Sequence, residues 1–215
     1  MTVEEFDIQF DIFYNNIASN AAPSVDTYEK SVFLTKAQNE IVIELYSGRA
    51  IPGLSFESTE EARTYLRELI SEYTYEDFKK GNKIFSLPED LMFILTEKVK
   101  YNNESPCISK YSPLVIPKRL DYLQRDLKNP FRGPSKDIVL RVDKGKDELG
   151  NNKVELYSIY DILSYTITYL RSPKPIDLNY NEETKGLQGS ELNPILHEVI
   201  LDRAVTLAKE AYIGK

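Results

Sequence analysis

The chain is 215 residues long, 41% of them hydrophobic and 28% charged, which is enough for one substantial core and ordinary for a soluble globular protein. Its formal net charge of -7 argues against a protein whose main work is gripping phosphate backbones, since that takes a net basic surface. Cys107 is the only cysteine, so no intrachain disulfide can form. The acidic start from Met1 to Asp7 is unlike a signal peptide, and no apolar run approaches the ~20 residues that span a bilayer. Assembly in a reducing cytoplasm, with neither export nor membrane insertion, is therefore expected.

Phe6, Ile8, Phe10, Phe13, Tyr14 and Ile17 lie among acids between Glu4 and Ile17 and fit a short helix, which Ala22-Pro23 breaks. Asp26 with Glu29 three residues on is an Asp capping box. Leu34, Ala37, Ile41, Val42 and Leu45 then give a second amphipathic helix ending at Gly48. Ser58 to Glu61 reads as another capping box, with Ala62, Tyr65, Leu66, Leu69 and Ile70 on the face of a third helix reaching about Tyr73. Lys79 to Lys83 is a positively charged turn. Ile84-Phe85 and Leu91 to Tyr101 read as strands on either side of Leu87 to Asp90, with a helix over Leu91 to Val99 as the alternative because a short apolar run fits both.

Pro113, Pro117 and Pro130 bracket a helix from Lys118 to Lys128 with Leu120, Leu123 and Leu127 on one side, followed by the turn Asn129 to Pro134. Ile138 to Val142 is a strand. A loop with Gly145 and Gly150 turns it into a second strand near Glu155, an antiparallel pair. Tyr157 to Arg171 reads as one long strand region that Ser172-Pro173-Lys174-Pro175 stops, and Asn179 to Gly189 carries the least pattern. Asn193-Pro194 opens a last helix, whose buried face carries Leu196, Val199, Ile200, Ala204, Leu207, Ala208 and Ala211. The predicted fold class is α+β: N-terminal helices, a central mostly antiparallel sheet, and a C-terminal helix packed back on it. One domain over 1–215 is expected, with a mainly helical part at 1–75, a mixed sheet part at 76–178 and the C-terminal helix at 190–215.

Candidate chemistry is sparse. His197 is the only histidine, so neither a second His nor a second Cys completes a common metal or catalytic cluster. The acidic pairs Glu60-Glu61, Glu89-Asp90, Asp147-Glu148 and Glu182-Glu183 fit helix starts and polar loops better than a Mg²⁺ site. Gly145-Lys146 lacks the glycine-rich run of a phosphate-binding loop. Neither a metal nor a cofactor is expected, and no enzyme.

Charge is unevenly spread: residues 1–61 hold eleven acids against Lys30, Lys36 and Arg49, whereas 118–136 hold six bases against Asp121 and Asp126. Opposite-sign faces orient copies of one chain packed head to tail. A second reading turns Lys118, Arg119, Arg125 and Lys128 toward DNA phosphates. Tyr157, Tyr160, Tyr165 and Tyr169 crowd one segment, which fits either a subunit contact, where tyrosine is favoured, or a sheet with one face in the core and one wet. The Pro173–Pro175 turn fixes the chain direction so as to present Arg171 and Lys174. The candidate interface residues are thus Lys118, Arg119, Tyr165, Tyr169, Arg171, Pro173, Lys174 and Pro175.

Several stretches carry a family likeness: Tyr14-Asn-Asn-Ile17, Ala22-Pro23, Tyr28 to Gln38, the Asn129 to Pro134 turn, Tyr169 to Ile176, and Glu191 to Glu198 with the helix behind it. Together they resemble virion structural proteins of crAss-like tailed bacteriophages, and among these the neck or ring proteins that join portal to tail. The resemblance implies a head-tail connector subunit that assembles into a cyclic ring, commonly twelve-fold, below the portal protein and beside other neck or tail ring proteins. Its lumen would pass genomic DNA without specific binding. It further implies a place in the virion after assembly in the host bacterial cytoplasm. The chain departs from many relatives at Ser190, where they have Cys, and at Pro117 to Asp121, where they have an acidic, His-containing run. A capsid-associated or tail-hub role and a phage-encoded DNA-binding or DNA-processing accessory protein are the alternatives.

Overall fold

A computed structural model describes residues 1–15, 24–48, 56, 59–76, 83–102, 112–181 and 186–213. Its helices are α1 (Val3–Asn15), α2 (Thr27–Ser47), α3 (Glu60–Tyr65), α4 (Leu120–Leu127) and α5 (His197–Ile213). The strands are β1 (Ile70–Tyr75), β2 (Ile84–Ser86), β3 (Leu91–Tyr101), β4 (Leu114–Lys118), β5 (Ile138–Lys146), β6 (Asn152–Tyr157), β7 (Ile162–Arg171), β8 (Asp177–Asn181) and β9 (Gly186–Gln188). The class is α+β, as expected. The chain divides into two units, one of residues 1–69 with 172–215 and the other of residues 70–171. Ile17, Ala22-Pro23, most of the Lys79–Lys83 turn, Cys107 and Glu182-Glu183 lie outside the described residues.

The first unit is organised on α2. Asp26 caps it by accepting from Thr27 N at 2.8 Å, while Glu29 Oε2 accepts from Asp26 N at 3.0 Å, closing the capping box. Gly48 ends it at φ 67°, donating to Glu44 O, in a left-handed conformation that glycine adopts without strain. The buried side of α2 carries Leu34, Ala37, Gln38, Ile41 and Val42, and α5 packs against both α2 and α1. Buried Lys30 ties α2 to α1 through Asp7 at 2.7 Å and Asp11 at 2.8 Å.

A second tie is an edge seal. Ser31, Thr35 and Gln38 stand one above another on α2 and bond the extended backbone that leads into β8. Gln38 Nε2 donates to Lys174 O at 2.9 Å, and Ile176 N donates to Thr35 Oγ1 at 3.0 Å. Thr35 Oγ1 in turn donates to Ile176 O at 3.2 Å, and Leu178 N donates to Ser31 Oγ at 3.0 Å. Side chains thus satisfy backbone groups that a neighbouring strand would otherwise take.

The second unit stacks two sheets on one core. One has the order β1-β7-β3, all antiparallel; the other runs β2-β6-β5-β4, antiparallel except for the parallel β4–β5 pair that α4 connects. Val139, Val154 and Leu156 from the second sheet share the core with Val99, Ile162, Tyr165 and Ile167 from the first. The hairpin predicted between residues 138 and 155 is present, with Gly150 at φ 90° in its turn.

Four local expectations are corrected. The third helix stops at Tyr65 and its cap is Thr59, which accepts from Ala62 N. Residues 70–75 form β1 instead, because Ile, Tyr and Thr in alternation gain more by pairing along β7 than by one further helical turn. The Tyr157–Arg171 run breaks at residues 158–161, where Ser158 Oγ donates to Tyr160 O, so β6 and β7 enter different sheets. Strand β4 passes through Pro117 because it is an edge strand, where a missing N–H is tolerated. Finally, Pro194 opens a 3₁₀ turn to Leu196, with Ile195 N donating to Asn193 Oδ1, before α5 begins at His197.

Candidate subunit interface

In the second unit the predicted cations lie at the end of β4 and on α4. Lys118 Nζ bonds Asp126 Oδ2 at 2.9 Å, and that hydrogen bond holds the buried Asp126 carboxyl below the usual carboxylate range. Lys118 therefore spends its charge inside the subunit. Arg119 is 78% exposed and meets Asp121 at 3.1 Å. Its guanidinium also lies 5.6 Å from the centre of the Tyr122 ring, while that of Arg125 lies 4.8 Å from the same ring. Two cations thus lie against one partly exposed aromatic ring.

Immediately after α4, the Asn129–Pro134 turn is locked from within. Phe131 N donates to Asn129 Oδ1 at 2.9 Å, and Gly133 N donates to Asn129 O at 2.9 Å. A Cβ on Gly133 would stand 3.2 Å from Asn129 O and 3.3 Å from Asp126 O, a tight fit that both carbonyls would have to yield to. At the tip, Phe131 is 93% exposed.

Tyr165 and Tyr169 were expected at an interface, and the structure buries both within their own unit. Residues four apart on a strand face the same way, and this face of β7 is the core face. Tyr165 donates to Glu97 Oε1 at 2.5 Å, Arg141 Nη1 donates to Glu97 Oε2 at 2.9 Å, and Tyr169 donates to Asp90 Oδ1 at 3.0 Å. Burial pushes the Tyr165 phenol far above its ordinary value and that of Tyr169 up to about 12. The four crowded tyrosines do not share one face, because Tyr157 belongs to β6 and Tyr160 to the link. Glu89-Asp90, expected at a helix start or in a loop, sits in the turn before β3. Asp147, in the hairpin turn, accepts from Leu149 N and Asn151 N.

Arg171 ends β7, half-buried. In the first unit Pro173 is buried, contrary to its expected outward role, because the chain there lies against α2. Lys174 is exposed and pairs with Glu191 at 3.2 Å. Pro175 lines an open groove of about 770 Å³ that runs along the outer side of α2 with Tyr28, Val32, Ile43 and Ile176. Tyr28 is 67% exposed and Val32 47%. The groove and Phe131 escaped the sequence reading, although Tyr28, Val32 and Ile43 form a second apolar stripe on a helix already assigned one.

His197 is buried beside Phe6, with ring centroids 5.4 Å apart. Its Nδ1 lies 2.7 Å from the Met1 amine and its Nε2 lies 3.0 Å from Leu192 O; burial lowers its pKa. Among the described residues no three His, Cys, Asp or Glu side chains gather as a metal site, and no helix is long and apolar enough to cross a membrane.

Comparison with known proteins finds relatives along the whole chain. A family model described as phage tail ring protein 3/4 matches residues 1–214. Ring protein 3 of Bacteroides phage crAss001 is 38% identical over 224 residues, covering 97% of this chain and 95% of the relative. Ring protein 4/5 of the same phage is 34% identical over 234 residues, covering 100% of this chain and 94% of that protein.

Proposed function

We propose, from the premise that this chain belongs to the phage tail ring protein 3/4 family, that it is a head-tail connector subunit closing into a ring with copies of itself. The single observation that carries this is the match of the family model to residues 1–214. A ring of identical subunits needs two different, complementary patches on each copy. The acid-rich first quarter and the base-rich 118–136 stretch supply opposite signs for them.

The ring sits below the portal protein and against other neck or tail rings, commonly with twelve subunits, and its lumen forms part of the DNA conduit. An acidic subunit suits that path because it holds passing phosphates weakly. The chain acts by position rather than turnover, in the virion, after assembly in the host bacterial cytoplasm. Use of the basic stretch on DNA is disfavoured: Lys118 is bound to Asp126, and Arg119 is shared between Asp121 and Tyr122.

Cryo-electron microscopy of the intact particle tests the reading. The chain is expected as a ring between portal and tail. Its absence from purified particles, or salt-sensitive DNA binding that Lys118→Gln with Arg119→Gln abolishes, would favour the accessory-protein reading instead.

A further inference from the structure

The two units differ in charge. Residues 1–69 with 172–215 hold 19 acids and 10 bases, net -9, whereas residues 70–171 hold 15 acids and 17 bases, net +2. Attraction between copies therefore favours the first unit of one meeting the second unit of the next, a head-to-tail arrangement.

Each unit also presents one half of an apolar fit. Phe131 is 93% exposed on a turn that Asn129 and Gly133 hold rigid, so little conformational freedom is left to lose on docking. The groove beside α2 is lined by Tyr28, Val32, Ile43 and Pro175; of its charged residues Glu40 is paired with Arg203 at 2.7 Å, and Asp177 and Lys36 carry opposite signs. Arg132, next to Phe131, carries the opposite sign to the net charge of the first unit. The edge seal from Ser31 and Thr35 occupies the backbone of Ile176 and Leu178, so this surface offers side-chain contact rather than strand addition.

We propose that Phe131 of one copy inserts into the α2 groove of the neighbouring copy, and that this knob and groove form the repeating contact of the assembly. The proposal rests on the ring-subunit reading above and names the residues that make it. A large aromatic buried in a pocket at the centre of a contact is the kind of residue whose truncation to alanine weakens association most.

Sedimentation of the full chain tests it with variants F131A and V32R and their equimolar mixture. The wild type is expected to assemble, and each variant alone to stay monomeric, with association weakened about tenfold or more. The mixture is expected to stop at dimers, because V32R keeps its knob and F131A keeps its groove, leaving one usable contact per pair. Should V32R lose its far-UV circular dichroism, Y28R, at a more exposed site of the same groove, replaces it.

Assembly of either single variant like the wild type overturns the knob-and-groove contact while leaving the ring reading intact. So does a mixture without dimers. A wild type that remains monomeric at all concentrations defeats self-assembly itself and the contact with it. Normal self-association by F131A, combined with its loss from particles, assigns the knob to a different virion protein and overturns the contact between copies.

Discussion

Glu97 joins two sheets through a nearly dry ion pair, and removing it gives a sharp expectation. Its side chain is 9% exposed and that of Arg141 12%. In Glu97→Ala the Arg141 guanidinium would keep only Asp143, 3.7 Å from Nε and 77% exposed, and the Tyr165 hydroxyl would lose its acceptor. A buried charge left without its partner costs about 3–5 kcal/mol, and an unsatisfied buried hydroxyl about 1–3 kcal/mol. Some water entry reduces the sum, so about 4 kcal/mol is expected, a large share of the ~5–15 kcal/mol that holds a domain folded. The triple change Glu97→Leu, Arg141→Met, Tyr165→Phe removes all three polar partners together and is expected within ~1–2 kcal/mol of wild type. Hydrogen exchange of the β7 amides reads the second unit selectively. A cost below ~1 kcal/mol for Glu97→Ala, like that of an exposed pair such as Arg119–Asp121, would refute the argument.

Thr35→Val keeps the shape of the α2 seal but strips both polar contacts from Ile176; about 1–3 kcal/mol of local stability is expected to go, seen as lost exchange protection at the Ile176 amide. Tyr101 and Tyr169 are pushed up to about 12, chiefly by burial, and Tyr75 and Tyr165 further. Phenols with raised folded pKa values contribute stability that is complete below pH 10 and is lost as pH rises above it, so ultraviolet titration should show a late tyrosine class ionising together with alkaline unfolding. A single transition at pH 10 without unfolding would contradict this. His197 has the opposite sign: its pKa is lowered from 6.5, so its contribution is complete above that value and is lost as pH falls below it. Melting temperature between pH 7 and pH 5 should therefore drop more steeply for wild type than for His197→Gln, and equal slopes would count against it.

Local chemistry with one strong solution was legible in the chain. The Asp26–Glu29 capping box with Gly48 bounded α2 almost to the residue, because caps satisfy backbone groups within a single turn. The β5–β6 hairpin was readable for the same reason, through the glycine-bearing turn between two apolar runs. The family likeness, too, is a property of the string of residues.

Tertiary structure decided what lies on the surface and which partner each element takes. Residues 70–75 have spacing compatible with a helix, and the presence of β7 alongside made them a strand. The apolar face of α5 was only partly evident, since Val199 and Ala211 of the expected face are exposed while Leu201 and Val205 are buried, and its packing against α1 and α2 was settled by where the chain returns after β7. Tyr165 and Phe131 are both aromatics, yet one is buried against Glu97 and the other stands 93% exposed on a hydrogen-bonded turn. Side-chain type sets how much a residue gains from burial; only the packed neighbours determine whether that gain is taken within the subunit or left for another copy.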